Sequence, residues 1–438
     1  MKVLIIYENI NREYDNCLLL KVELEKRGYS VVLKYKTECI SFIQDADLTI
    51  TPNCYTIDNE KFYRYVFAGN KAPILSLQYE QVFTKNSVKN AIIYPVNELS
   101  NVYFIAWGRE FHNRLVKIGF DKSRIKITGA IQLDFCRKEF NRYYLQRKTI
   151  SKIYNLNNEK KWILFISSLT MFPQSPYFKH FFNETQDIEY FMERAKLQVR
   201  TQKSILDWFE RFLRNNDGYV IIYRRHPVEE STRELNDLIK KYTDSFVDIT
   251  DLSVKQWIKV CDYCCNWLST SAVEIAEFNK PIIFLRPHYV SENSDYTFLK
   301  DIKKCTSYDD FSKSILFKNS DNYLRRDVYE EYYNIGEKPA YIRICDYIDE
   351  IIQNKDLSYR FERKFNINRL KFYIKNMFII KLFIKKIYQF LYDRIGFRIK
   401  DENLREKYCF TQLEYSSYFH KNFDKDSRLR IIKEIINS

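Results

Sequence analysis

The chain has 438 residues and is 45% hydrophobic and 17% aromatic, so it can bury two or three cores and is not a disordered chain. Its formal net charge of +14 suits an acidic partner, whether nucleotide, anionic lipid or nucleic acid, without choosing among them. The ten cysteines form no regular framework. Their only cluster, Cys261, Cys264 and Cys265, lacks the second ligand pair of a zinc site, so buried reduced thiols are expected.

The opening run Met1–Tyr7 meets Glu8 too soon to form the apolar stretch of a secretion signal. No run reaches the roughly 20 apolar residues of a spanning helix. A cytoplasmic protein in a reducing compartment is expected, touching a membrane from one side at most.

Val3–Tyr7 is a short apolar run of the kind a buried parallel strand carries. Helical periodicity follows over Asp15–Arg27, and Gly28 closes it at a C-cap position. Further strands are expected at Val31–Leu33, Leu48–Thr51, Ile74–Leu77 and Ile125–Thr128. Asp45-Ala46-Asp47 resembles a metal-binding triplet, but it precedes a strand and reads as a solvated turn. Residues 137–161 are polar and read as an interdomain stretch. A second series opens at Trp162–Ile166 and ends in Ser167-Ser168. It continues through a long helix near 188–214, strands at Val220, Asn266 and Ile282–Leu285, and a closing helix over Tyr341–Ile352. Strands alternating with helices predict an α/β fold of two doubly wound parallel-sheet domains, facing each other across a cleft. The expected boundaries are 1–150, 151–355 and a basic helical tail over 356–438.

Two segments carry the chemistry. The strand at Val220 ends in Arg224-Arg225-His226-Pro227, and the one at Asn266 ends in Ser269-Thr270-Ser271 before a helix. In an open parallel sheet, ligands bind beyond the carboxyl ends of the strands. Pro227 restricts His226 to an extended conformation and so aims its imidazole. His226 can hold a phosphate oxygen or simply cap a surface turn. One hydroxyl suffices for an N-cap, and here there are three beside free helix N–H groups. Glu274 reads either as a capping-box acid or as an acceptor for ribose hydroxyls. Together the two segments suggest a cradle for a phosphorylated ligand.

The tail differs in kind. From Arg363 to Lys400 the only acid is Asp393, amid many Lys and Arg. On a helix, Lys371, Lys375, Lys381, Lys385 and Lys386 share an arc, while Phe383, Ile384, Ile387, Phe390 and Leu391 help to cover the rest. Such a helix can lie in a membrane interface or pack on the protein's own core. A chain ending near Lys355 is expected to stay folded.

Several segments together resemble GT-B glycosyltransferases of bacterial surface-carbohydrate biosynthesis. They are the opening 1–30, Trp107-Gly108, Ile125–Asp134, Arg225-His226-Pro227, and Ser269-Thr270-Ser271 with Glu274 and Lys280-Pro281. Arg225-His226-Pro227 resembles the HP motif of transferases using CMP- or CDP-activated donors. The resemblance covers about 1–350 and implies two Rossmann-like domains. It implies that Arg225, His226, Ser269, Thr270 and Ser271 bind the donor phosphate and that Glu274 binds ribose. Asn279 stands where the family usually has Gly. A carboxylate of the first domain would be the base, Glu80 first and then Glu13 or Asp15, each of which also reads as a loop or cap acid. The implied reaction moves a CMP- or CDP-activated sugar or alditol onto a capsule or lipopolysaccharide precursor, polymeric or lipid-linked. It needs no cofactor beyond the donor and no metal. A UDP-sugar 2-epimerase is the nearest alternative. A basic nucleic-acid binder is a further one, though its usual motifs are absent and no nucleic-acid partner is expected. An anionic membrane surface, the inner face of the cell membrane, is the expected partner if the tail lies in an interface.

Overall fold

The structure, a computed structural model, describes residues 1–36, 46–64, 72–81, 83–85, 95–96, 98–99, 102–173, 175, 178, 188–226, 228–317, 323–353 and 424–437, with a few positions between 383 and 397. The chain packs as two units. One gathers Met1–Gln81, Ala91–Gln132 and Tyr332–Ser438, and the other Val82–Asn90 and Leu133–Glu331.

In the first unit, β1 (Lys2–Tyr7) runs through a π-helical turn (Ile10–Tyr14) into α1 (Asp15–Lys26). Then come β2 (Ser30–Tyr35), β3 (Leu48–Thr51), α2 (Ile57–Phe62), β4 (Ile74–Ser76), β5 (Val102–Ala106), α3 (Arg109–Lys117) and β6 (Ile125–Ile127). All pairings are parallel, in the order β2-β1-β3-β4-β5-β6. Val3, Leu4, Ile5 and Ile6 are fully buried, as a central parallel strand covered on both faces requires. Gly28, at φ 88°, ends α1: Tyr29 N–H bonds the Leu24 carbonyl and Gly28 N–H that of Glu25, each at 3.0 Å. This is the double-bonded helix stop that favours glycine. Asp47 accepts the N–H of Lys2 at 2.8 Å, so the expected turn anchors the start of β1; Asp45 lies outside the described residues.

The second unit opens with residues expected to form an interdomain stretch. They are ordered within the unit instead, in a 3-10 turn (Lys138–Tyr143) and α4 (Arg147–Tyr154). Polar side chains can hold a segment in place when each meets a partner. Here Gln256 bonds both backbone groups of Leu145, and Arg147 meets Asp262 at 2.9 Å. The sheet and its helices follow: β7 (Lys161–Ile166), α5 (Ile188–Asn215), β8 (Tyr219–Arg224), α6 (Arg233–Lys241), β9 (Phe246–Asp248), α7 (Val254–Val260), β10 (Tyr263–Asn266), α8 (Ser271–Glu277), β11 (Ile282–Leu285), β12 (Lys304–Cys305) and α9 (Tyr308–Leu316). The strand order is β12-β11-β10-β7-β8-β9, all parallel. Phe209 of α5 stacks edge-on against Phe165 of β7 at 5.5 Å and Phe311 of α9 at 5.6 Å. Cys261, Cys264 and Cys265 are buried free thiols, raised by burial above their ordinary pKa.

α10 (Arg326–Tyr333) leads to α11 (Ala340–Gln353), which packs on α1 through Arg27 and Asp349 at 2.7 Å. α12 (Lys425–Asn437) packs on α1 as well, with Ile432 and Ile435 buried and Arg428 paired to Asp15. The last helix is therefore part of the first unit's packing. The lysine-striped segment from Lys371 lies largely outside the described residues. No helix among the described residues is long and apolar enough to cross a membrane.

Candidate functional site

Each sheet reverses its strand order once, and such a reversal opens a crevice at the carboxyl edge. In the second sheet the reversal lies between β7 and β10. Asn266 pairs with Ile166, and Ile166 pairs with Arg224. Three strand ends therefore stand abreast. Ser269-Thr270-Ser271 leaves the first, Ser167-Ser168 the second and His226 the third. With neighbouring strands about 4.8 Å apart, the outer two ends stand roughly 10 Å apart, a span suited to a phosphate group.

Local bonds shape this edge. Asn266 accepts the Ser269 N–H at 2.8 Å and donates to the Ser269 carbonyl at 3.0 Å, curling the chain at the strand end. Ser168 Oγ accepts the Leu268 N–H at 3.1 Å and joins the two loops. Ser269 Oγ accepts the Ser271 N–H at 3.2 Å, so this hydroxyl does cap α8, whereas Thr270 makes no capping bond. Asn279 stands at φ 52° where α8 ends, with Lys280 N–H bonded to the Ile275 carbonyl. Asn tolerates the left-handed conformation that glycine usually fills, so the helix stop is preserved.

The two arginines are engaged elsewhere. Arg224 donates to the carbonyls of Asp251 and Leu252 at 2.7 and 2.6 Å, and burial lowers its pKa to about 10. Arg225 grips Asp248 at 2.8 Å and the Glu229 carbonyl at 3.0 Å. Arg225 thus fixes the loop that carries His226. His226 Nδ1 faces the Val228 N–H at 3.4 Å. A ring nitrogen that accepts a bond has no proton of its own, so the neutral ring holds its proton on Nε2.

Three residues of this site escape sequence reasoning. Glu229 is buried beneath the loop. It accepts the Tyr223 hydroxyl at 2.7 Å, the Gln202 amide at 3.2 Å and the His226 N–H at 3.1 Å. Burial pushes its carboxyl up to about 7. Lys255 of α7 lies 3.5 Å from Glu274, so Glu274 carries a cation partner as well as its place in the first turn of α8. Arg286, just past β11, is buried and bonded to Asp295 at 3.2 Å, with its Nε lacking a partner among the described residues. No run or spacing in the sequence signals any of these three.

In the first sheet the reversal lies between β1 and β3. Glu8 leaves β1 there, bonded to Lys36 and, at 3.0 Å, to Asn53. Burial alone would raise the Glu8 carboxyl, but Lys36 and Arg12 hold it below the usual range. Glu13 sits on the π-helical turn. It accepts the N–H groups of Glu8 and Asn9 at 2.7 and 3.2 Å and pairs with Arg12 at 2.6 Å. Burial raises its carboxyl against the pull of Arg12. Arg12 reaches on to Glu80 at 2.9 Å, and the Glu80 side chain is 46% exposed. The Tyr55 hydroxyl is buried in this field without a hydrogen-bond partner among the described residues. Glu13 and Glu80 thus share one guanidinium, while Asp15 pairs with Arg428 of α12. Among the three expected bases, Glu80 has the most accessible carboxylate.

No protein-family model matches the chain, and no curated protein matches it. Solved structures do. The S. aureus MnaA–UDP complex is 14% identical, with a TM-score of 0.52, covering 83% of this chain and all of that one. A variant of the wall teichoic acid polymerase TagF is 13% identical, TM-score 0.52, covering 81% of this chain and 89% of that one. A UDP-N-acetylglucosamine 2-epimerase is 10% identical, TM-score 0.52, covering 84% and 99%. Similarity at this level of identity carries the fold alone. The chain has the GT-B-like fold of two Rossmann-like α/β units.

Proposed function

We propose that this protein is a GT-B-fold transferase that moves a CMP- or CDP-activated sugar or alditol onto a bacterial surface polysaccharide or its lipid-linked precursor. The observation that carries the reading is the register of β10, β7 and β8, which sets Ser269-Thr270-Ser271, Ser167-Ser168 and His226 along one carboxyl edge. His226 Nε2–H would donate to a donor phosphate oxygen, with the Ser269–Ser271 hydroxyls beside it. Glu274 would accept from ribose, with Lys255 as its ion-pair partner at 3.5 Å. Such fixed donors stabilise a departing nucleotide phosphate without a metal. In the first unit, Glu80 would take the proton of the acceptor hydroxyl, with Arg12 setting its orientation and Tyr55 offering a hydroxyl to the acceptor. The fold likeness to TagF supports the transferase reading.

The fold likeness to a UDP-N-acetylglucosamine 2-epimerase supports a second reading, a UDP-sugar epimerase. A thermal-shift screen with CMP, CDP, UDP, GDP and ADP separates the two, because a ligand that binds only the folded state raises the melting temperature. The transferase reading expects the largest rise with CMP or CDP. A rise with UDP alone, and conversion of a UDP-sugar to its 2-epimer, would overturn it.

A further inference from the structure

The basic tail holds one feature that donor chemistry leaves unused. The described positions from Phe383 to Ile395 are helical. Phe383, Ile387 and Phe390 recur at i, i+4 and i+7, the spacing of one helix face. They are 64%, 45% and 60% exposed, whereas Tyr388, on another face of the helix, is 3% exposed. Arg394 extends the stripe by one turn, with its guanidinium 5.9 Å from the Phe390 ring. Ile395 and Phe397 are also exposed. So this segment has a buried side around Tyr388 and an outward side that is aromatic and aliphatic.

Large aromatic side chains are seldom left in water in a row. What covers them can be read from charge. In sequence, the stretch from Lys381 to Lys400 carries Lys381, Lys385, Lys386, Arg394, Arg398 and Lys400, and Asp393 is the single acid between Arg363 and Lys400. A protein partner would have to match this cation density with acids of its own. A second copy of this chain would bring the same cations into self-contact, which like charges oppose. An anionic bilayer matches both properties, since its headgroups take the cations and its acyl boundary takes the rings.

We propose that the Phe383–Ile387–Phe390 face is a docking surface for an anionic lipid bilayer, held in the plane of the interface. The proposal does not depend on the identity of the donor.

The test uses the full chain and sucrose-loaded vesicles, either phosphatidylglycerol with phosphatidylcholine or phosphatidylcholine alone. The protein should sediment with the anionic vesicles and far less with the neutral ones, and raised salt should release it. The double variant Phe383→Ser with Phe390→Ser should bind at least about tenfold more weakly, because two exposed rings leave the acyl boundary. Its melting temperature should match the wild type, since both side chains face outward. The proposal is overturned if the wild type ignores anionic vesicles, or if the folded double variant binds them equally well. It is also overturned if light scattering finds a dimer that the double substitution dissociates while vesicle binding is absent. In that case a second copy covers the face.

Discussion

The Glu229 carboxylate accepts the backbone N–H of His226 at 3.1 Å, and the Glu229 N–H returns a bond to the His226 carbonyl at 2.8 Å. This pair closes the loop on which the proposed phosphate ligand stands. Arg225 clamps the same loop from the other side, through Asp248 and the Glu229 carbonyl. The backbone that carries the imidazole is thereby held by a buried acid, whose carboxylate is in turn held by Tyr223 of β8 and by Gln202 of α5, 27 residues away in sequence.

That acid gives a pH prediction. Burial raises the Glu229 carboxyl from 4.5 to about 7, against the opposing bonds from Ser167, Tyr223 and the His226 amide. An acid raised by folding favours the fold fully below its unfolded value and loses that contribution as pH climbs through its folded value. The window is therefore pH 4.5 to 7, and the loss is on the order of 3 kcal/mol. Melting curves of wild type and Glu229→Gln should diverge in slope across this window, with the wild type falling more steeply as pH rises. Parallel slopes would show that Glu229 does not titrate there.

Glu274 is open to a clean separation of roles. Glu274→Gln removes the charge that pairs with Lys255 and that the proposed function assigns to ribose. If the carboxylate meets ribose, nucleotide affinity should fall roughly tenfold or more, the worth of a charge-assisted hydrogen bond. The ion pair with Lys255 is nearly buried on both sides, so some loss of stability accompanies it. A variant that melts early yet binds nucleotide normally would assign Glu274 to packing alone.

The fold was legible where apolar runs were long. Val3–Tyr7, Leu48–Thr51, Trp162–Ile166 and Ile282–Leu285 all lie in strands. β9 and β12 were missed because three or two residues are too few to show a period. β5 was missed too, though its run Val102–Ala106 leads straight into the Trp107-Gly108 of the resemblance. β10 is Tyr263–Asn266, so it ends, rather than begins, at the Asn266 where the sequence places this strand. At the site, His226 and the Ser269–Ser271 hydroxyls could be found because each follows a strand. Glu229, Lys255 and Arg12 could not, because their roles are set by partners that only folding brings near.

The carboxylates around Arg12 should separate by readout. Glu80 is half exposed, and a surface pair of this kind contributes about 0.2–1 kcal/mol. Glu80→Gln should therefore melt near the wild-type temperature while losing most turnover and keeping donor affinity. Glu13→Ala leaves two backbone N–H groups without their acceptor, at about 1–3 kcal/mol each, and leaves the Arg12 guanidinium paired with Glu80 alone. It should melt much earlier. Full turnover in Glu80→Gln would shift the base assignment to another carboxylate.

The last helix should prove structural. The sequence alone suggests that a chain ending near Lys355 folds, but α12 buries Ile432 and Ile435 against the first unit and pairs Arg428 with Asp15. Two buried isoleucines are worth about 1.5–3 kcal/mol each. A chain ending at residue 423 should show a markedly lower melting temperature or reduced solubility. An unchanged melting temperature would mean that α12 adds nothing to the fold.

The central claim, that one strand-end edge of the second unit holds a nucleotide phosphate, is tested most directly by calorimetric titration of CMP, CDP and UDP into wild type and His226→Ala. The account predicts that CMP or CDP binds the wild type more tightly than UDP does. It also predicts that His226→Ala, folded as judged by its melting temperature, binds at least about tenfold more weakly. Equal affinity in the folded variant, or no binding of any of the three nucleotides to the wild type, would contradict it.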